Sequence, residues 1–128
     1  MPQRLQTYIS AELHDSALYH ELSKVAPTED DRQLLMEFSE DEQSHAEMFK
    51  RIYRNMTGRS YNPVVPPVAL NGSYRDILRD RILDESGDYR KYSEQYLITT
   101  NTRLKDAYFK AKTDENVHAL RLLYLLIE

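Results

Sequence analysis

The sequence predicts an all-α protein, a four-helix bundle made of two antiparallel helical hairpins joined by a long crossover loop. Apolar residues recur at alternating spacings of 3 and 4 in four separate segments, which is the period of a helix with one buried face. Glycine and proline are scarce, at three and five in 128 residues, which disfavours a turn-rich β fold. The length fits one domain, residues 1–128, with one hydrophobic core.

Composition excludes several classes of protein. Hydrophobic residues make up 41% and charged residues 30%, as in folded globular chains. The net charge of -4, without a basic cluster, argues against a nucleic-acid partner. The absence of cysteine removes disulfides, zinc–cysteine sites and iron–sulfur clusters from these residues. No apolar run is long enough to cross a membrane and residues 1–10 lack a signal-peptide core, so we expect a cytoplasmic protein.

The first hairpin is predicted from two helices, over residues 4–25 and 28–56. Pro27 ends the first helix, Thr28 followed by Asp31 is typical of an N-cap, and Gly58 follows the second helix. The predicted inward positions are Leu5, Tyr8, Glu12, Asp15, Tyr19, Leu22 and Ala26 on the first helix, and Leu35, Phe38, Glu42, His45, Phe49, Ile52 and Met56 on the second.

Residues 58–72 are predicted to be the crossover, because they contain Pro63, Pro66 and Pro67 and show no helical period. An extended segment of this size reaches about 50 Å, enough to return along a helix of about 42 Å. Ser73 is the predicted N-cap of the third helix, which runs to Ile98. The predicted inward positions are Leu78, Ile82, Glu85, Tyr89, Tyr92 and Tyr96 on that helix, and Leu104, Tyr108, Ala111, Glu115, His118, Leu122 and Leu125 on the fourth.

A repeated set of acidic residues and histidines interrupts these apolar stripes. A Glu-x-x-His motif occurs in the second and the fourth helix, and a glutamate precedes each motif by 30 residues. The two sets are related by a constant offset of 73: they are Glu12, Glu42 and His45, and Glu85, Glu115 and His118. In each hairpin, the earlier glutamate and the motif glutamate lie about equally far from the turn, one before it and one after it. The two glutamates are therefore expected to face each other.

This set of residues has the composition of a two-metal site. Residues three apart share a helix face, so each motif presents a carboxylate and an imidazole to the same point. Four glutamates and two histidines in this order are the ligands of dimetal sites in helical bundles, and both iron and manganese accept them. The alternative is a plain bundle with polar core residues. His14 and His20 lack such a context and are expected on the surface.

Two further pairs of residues follow the same repeat. Asp15 and Asp88 each come three residues after a candidate glutamate and could bind metal or a ligand imidazole, or lie on a solvated face. Tyr19 and Tyr92 each come seven residues after it, so their hydroxyls could bind a ligand carboxylate, or the rings could serve as core packing. The apolar segment 120–128 is expected to form a homodimer contact or a docking surface, and a homodimer is expected.

The residues resemble the rubrerythrin group of the ferritin-like superfamily over nearly the whole chain, residues 4–127. The resemblance rests on the order Glu12, Glu42-x-x-His45, Glu85-x-x-Asp88 and Glu115-x-x-His118. It implies a ferritin-like fold and a non-haem di-iron centre that reduces hydrogen peroxide to water, a defence against oxidative stress. The implied roles are bridging ligands for Glu42 and Glu115, terminal carboxylates for Glu12 and Glu85, terminal nitrogen ligands for His45 and His118, and a catalytic tyrosine beside the ligands for Tyr19.

The sequence departs from the rubrerythrin pattern at two points. Asp88 stands where the family carries a glutamate that takes part in a redox-linked iron shift. The family's rubredoxin-like domain has four cysteines and this chain has none, so an external donor such as rubredoxin is expected. The resemblance also leaves a ferroxidase or iron-handling protein, with oxygen as the oxidant, and a dimanganese catalase-like enzyme as alternatives.

Overall fold

The computed structural model describes residues 2–128, and these residues form four helices and no strand. The helices are α1 (Pro2–Lys24), α2 (Glu29–Thr57), α3 (Tyr74–Ile98) and α4 (Thr102–Ile127). Residues 58–73 have no regular structure, as predicted for the crossover. The predicted all-α class is therefore confirmed. Across residues 2–128, none of the helices combines the length and apolar character needed to span a membrane.

The chain divides into two compact units, Met1–Leu70 and Asn71–Glu128, and each unit contains one hairpin. Helix α1 packs against α2, and α3 packs against α4, which confirms the two predicted hairpins. The two units are compact by themselves, and the prediction that residues 1–128 fold as a single domain stays a prediction.

In the first hairpin, hydrogen bonds between side chains fix an antiparallel register. Near one end, Gln6 donates to the hydroxyl of Tyr53 over 2.8 Å. Farther along, the Ser16 hydroxyl donates to the backbone carbonyl of Ser39 over 2.8 Å, and the Ser39 hydroxyl donates to that of Ser16 over 2.7 Å. This reciprocal pair joins the two backbones through small side chains. The helices therefore approach closely one turn away from Glu12.

The start of the crossover packs back on the first hairpin. The Tyr61 ring lies 5.9 Å from the ring of Tyr53, and its hydroxyl lies 3.1 Å from the hydroxyl of Ser10. Both contacts tie the segment after α2 to the helices that precede it.

The second hairpin is also antiparallel, with a different interior. The rings of Tyr92 and Tyr108 stack with centroids 6.0 Å apart, and nearer the turn Lys105 donates to the backbone carbonyl of Tyr96 over 3.3 Å.

All seven inward positions predicted for α4 are buried. Two predicted inward residues elsewhere were wrong: Tyr89 on α3 is 37% exposed and Met56 on α2 is 41% exposed.

The helix ends follow the predicted capping chemistry. The side chains of Thr28, Ser73 and Asn101 accept a backbone N–H three residues later, over 3.1, 3.1 and 3.0 Å. Gly58 ends α2 with a φ of 72° and donates its N–H to the carbonyl of Arg54. A left-handed φ is easily adopted by glycine, and so the stop after α2 depends on this residue.

Candidate metal centre

The first hairpin brings together one of the two predicted ligand sets, which we call the first half-site: Glu12, Glu42 and His45. Glu12 lies on α1, and the other two lie one turn apart on α2. Their ligand atoms lie within 4.8 Å of one another. All three side chains are buried, with at most 1% of their surface exposed. The predicted facing of the two glutamates in this hairpin is thus observed.

The imidazole of His45 joins the two carboxylates of the first half-site. Its Nδ1 lies 2.9 Å from Oε1 of Glu12 and 3.5 Å from Oε1 of Glu42. Burial raises the pKa of Glu12 above its ordinary value, the interactions with His45 oppose that shift, and the charge of Asp15 adds to it. Three donors around one point, in a dry environment, are suited to a cation.

The second hairpin forms the second half-site from Glu85 on α3 and from Glu115 and His118 on α4. Their ligand atoms also lie within 4.8 Å of one another, and the side chains are at most 1% exposed. Nδ1 of His118 lies 3.5 Å from Oε2 of Glu85 and 3.6 Å from Oε1 of Glu115. The repeat at offset 73 thus produces the same kind of donor group in each hairpin.

A buried arginine that the sequence did not indicate lies beside the second half-site. Arg81 is 5% exposed, and it donates to Oε1 of Glu85 over 3.1 Å and to Oδ2 of Asp84 over 3.1 Å. Burial opposes ionisation of Glu85, but the interactions with His118, Glu115 and Arg81 outweigh it and lower the pKa of Glu85 to about 2. The sequence signal that could have indicated this contact is the spacing: Arg81 precedes Glu85 by four residues, which places both on one helix face.

The two aspartates that follow the repeat are in different surroundings. Asp15 is 8% exposed, and its Oδ1 lies 3.5 Å from Nδ1 of His14. Asp88 forms an ion pair with Lys91 over 3.3 Å, and burial raises its pKa. Neither aspartate belongs to the groups of donors, among residues 2–128, that lie within 4.8 Å of one another. A metal-binding role for Asp88 stays a prediction.

The tyrosines of the repeat are core residues of their hairpins. Tyr19 is fully buried and meets Phe38 edge-on at 5.4 Å, and Tyr92 is 1% exposed in its stack with Tyr108. A catalytic role for Tyr19 stays a prediction. His14 and His20 are exposed, as expected.

The donor chemistry of each half-site fits a divalent transition metal. Two carboxylates and one imidazole are ligands that iron, manganese and zinc all accept. Buried carboxylates are costly unless a partner neutralises them, and a bound cation does so. Burial of all six donors therefore favours a pair of metal ions over a solvated acidic surface.

Comparisons with known proteins identify the family of the chain. The chain is 27% identical over 126 residues to the uncharacterized protein YhjR of Bacillus subtilis (strain 168), covering 98% of this chain and 86% of the relative. No solved structure matches. The family model for rubrerythrin matches residues 4–126, almost the whole chain, and includes both half-sites. The chain therefore belongs to the rubrerythrin family.

Proposed function

We propose that this protein is a di-iron oxidoreductase that reduces hydrogen peroxide to water with electrons from an external donor protein. The observation that carries the proposal is the presence of a buried Glu-Glu-His donor group in each hairpin. Membership of the rubrerythrin family supports iron as the metal. In this proposal the residues that would hold the iron ions are Glu12, Glu42 and His45 in the first half-site and Glu85, Glu115 and His118 in the second.

The reaction is balanced as hydrogen peroxide plus two electrons and two protons giving two water molecules. When bound, a ferrous pair would supply the two electrons. The protein's part is to hold that pair with anionic glutamates, which favour the more highly charged oxidised ions, and with His45 and His118 as neutral ligands. Leu35, Phe38 and Phe49 lie within two turns of Glu42 and are fully buried, so they keep water away from that side.

We place the electron donor outside these 128 residues. None of the 128 residues is a cysteine, so these residues cannot hold a rubredoxin-type iron. A small iron–sulfur protein such as rubredoxin would return two electrons to the oxidised pair in single-electron steps.

The test is a comparison of oxidants. Metal-free protein is loaded with ferrous iron without oxygen, then mixed in a stopped-flow instrument with hydrogen peroxide or with oxygen while ferric absorbance is followed. We expect oxidation by peroxide to be much faster than oxidation by oxygen. His45→Gln should lose the reaction together with bound iron, whereas His20→Gln, which changes an exposed histidine, should keep both.

Two outcomes would replace the proposal. Equal rates with oxygen would indicate a ferroxidase or iron-handling protein. Release of oxygen from peroxide by manganese-loaded protein, without any reductant, would indicate a catalase-like enzyme.

A further inference from the structure

We propose that Arg81 is a positioning residue that makes the two half-sites unequal, so that the first half-site takes up a divalent cation before the second. The inference rests on the proposed function in one respect only, that both half-sites bind metal. It concerns the order and the affinity of binding, which the ligand sets alone do not determine because they are identical.

The guanidinium of Arg81 is a fixed positive charge beside a metal donor. It is buried, and one N–H group contacts Glu85 over 3.1 Å. Another N–H group contacts Asp84, whose side chain is 61% exposed, so the guanidinium is held from the solvent side as well. Arginine stays protonated in proteins, so this charge is present at every usable pH.

The guanidinium also restricts how Glu85 can bind. It donates a hydrogen bond to Oε1 of Glu85, whereas Oε2 is the oxygen that lies 3.5 Å from Nδ1 of His118. Glu85 therefore presents one oxygen toward the other donors of its half-site. The orientation of this carboxylate is set before any ion arrives.

The first half-site has no such cation at the matching position. The residue at the offset of 73 from Arg81 is Tyr8, a neutral side chain that is 4% exposed and packs 5.6 Å from the Phe49 ring. The first half-site instead has the buried carboxylate of Asp15 close by. Asp15 lies 3.5 Å from an exposed histidine, His14, whereas its counterpart, Asp88, is ion-paired with a lysine, Lys91.

The two half-sites therefore differ in net charge. The first combines two candidate ligand carboxylates with the buried carboxylate of Asp15, which contacts His14. The second combines two candidate ligand carboxylates with the buried guanidinium of Arg81, which also pairs with the exposed carboxylate of Asp84. A unit charge about 7 Å from a divalent cation changes its binding by more than a hundredfold at an effective dielectric constant of roughly 20. The first half-site is the stronger cation site on this basis.

The experiment titrates metal-free protein with Co²⁺, followed by calorimetry and by the visible absorption of the ion. We expect two binding steps, with the first tighter by about tenfold or more. Glu12→Gln should remove the tight step and Glu85→Gln the weak step. Arg81→Gln should strengthen the weak step by about tenfold or more and leave the tight one unchanged, and Arg81→Lys, which keeps the charge, should restore the original pattern.

The matched control is Arg79→Gln, because Arg79 lies on the same helix, is 64% exposed and pairs with Asp76 at 3.7 Å. It should leave both steps unchanged. Circular dichroism without metal checks that each variant is folded. If Arg81→Gln does not fold, Arg81→Met, which places an unbranched apolar chain at this buried position, takes its place: a stronger weak step supports the inference and an unchanged weak step overturns it.

Two equal steps in the unmodified protein would overturn the inference and leave the proposed function standing. A weak step that is unchanged or weaker in folded Arg81→Gln would also overturn it, because Arg81 would then only support the fold of Glu85. Failure of the unmodified protein to bind Co²⁺ and Fe²⁺ at all would overturn the inference and the proposed function together.

Discussion

Two residues at equivalent positions of the repeat, Glu12 and Glu85, lie in opposite electrostatic surroundings. Burial raises the pKa of Glu12, whereas the interactions of Glu85 with His118, Glu115 and Arg81 lower its pKa to about 2. A carboxyl whose pKa is raised on folding destabilises the folded state once it is ionised. A carboxyl whose pKa is lowered stabilises it. The two glutamates should therefore respond to substitution with opposite signs in metal-free protein.

We predict that Glu12→Gln raises the free energy of unfolding of metal-free protein at pH 7, because it removes a buried charge. The gain should disappear below the ordinary pKa of 4.5, where the carboxyl is protonated in both states.

Glu85→Gln should instead lower the free energy of unfolding of metal-free protein by roughly 1.5–3 kcal/mol at pH 7, the value of hydrogen bonds to a charged group. That loss should fade as the pH falls from 4.5 toward about 2.

Urea unfolding in the presence of a chelator, at pH 7 and at acidic pH, measures both changes. Ser86→Ala, on an exposed side chain next to Glu85, is the control and should have little effect. Destabilisation by both glutamine substitutions would show that the two half-sites are electrostatically alike, against this account.

The burial and clustering of the six candidate ligands could be predicted from the sequence because each is a polar residue on an apolar stripe, and buried polar groups need partners. Arg81 could not, because arginine is mostly a surface residue and only its spacing from Glu85 marked it. The difference between Asp15 and Asp88 was also hidden. The difference arises because Asp88 forms an ion pair with Lys91, and Lys91 lies outside the predicted inward positions of α3.

At the scale of elements, prediction succeeded where the apolar period was strong. Every predicted inward position of α4 is buried. Prediction was weaker on α3, where Tyr89 is exposed and Arg81 is buried, because aromatic rings with polar tips and long charged chains fit either environment. Met56 is exposed in the last turn of α2, two residues before the Gly58 cap.

The two glycines associated with helices provide a test of the helix assignments. Gly58→Ala should lower the free energy of unfolding by about 1–2 kcal/mol, because alanine is strained at a φ of 72°. Gly87→Ala should raise it by about 1 kcal/mol, because Gly87 lies inside α3 and an added Cβ meets nothing within 4 Å. Thermal unfolding of the two variants measures the contrast. Equal effects would contradict the left-handed cap at residue 58.

For the whole molecule, the untested expectation is a homodimer. Exposed large apolar side chains are frequent on α4: they are Phe109, Val117, Leu120, Leu123, Tyr124 and Ile127. We predict that sedimentation velocity gives the mass of a dimer and that Leu120→Glu shifts it toward a monomer. Val64→Glu, on a crossover residue that is 92% exposed, should leave the mass unchanged. A monomeric unmodified protein would contradict this expectation.

The most direct test of the central claim is an anaerobic titration of the ferrous protein with hydrogen peroxide, with bound iron counted in the same sample. The account predicts two ferrous ions per chain and an end point of one peroxide per chain, without release of oxygen. Protein that holds fewer than two ions per chain, or that releases oxygen from peroxide, would contradict it.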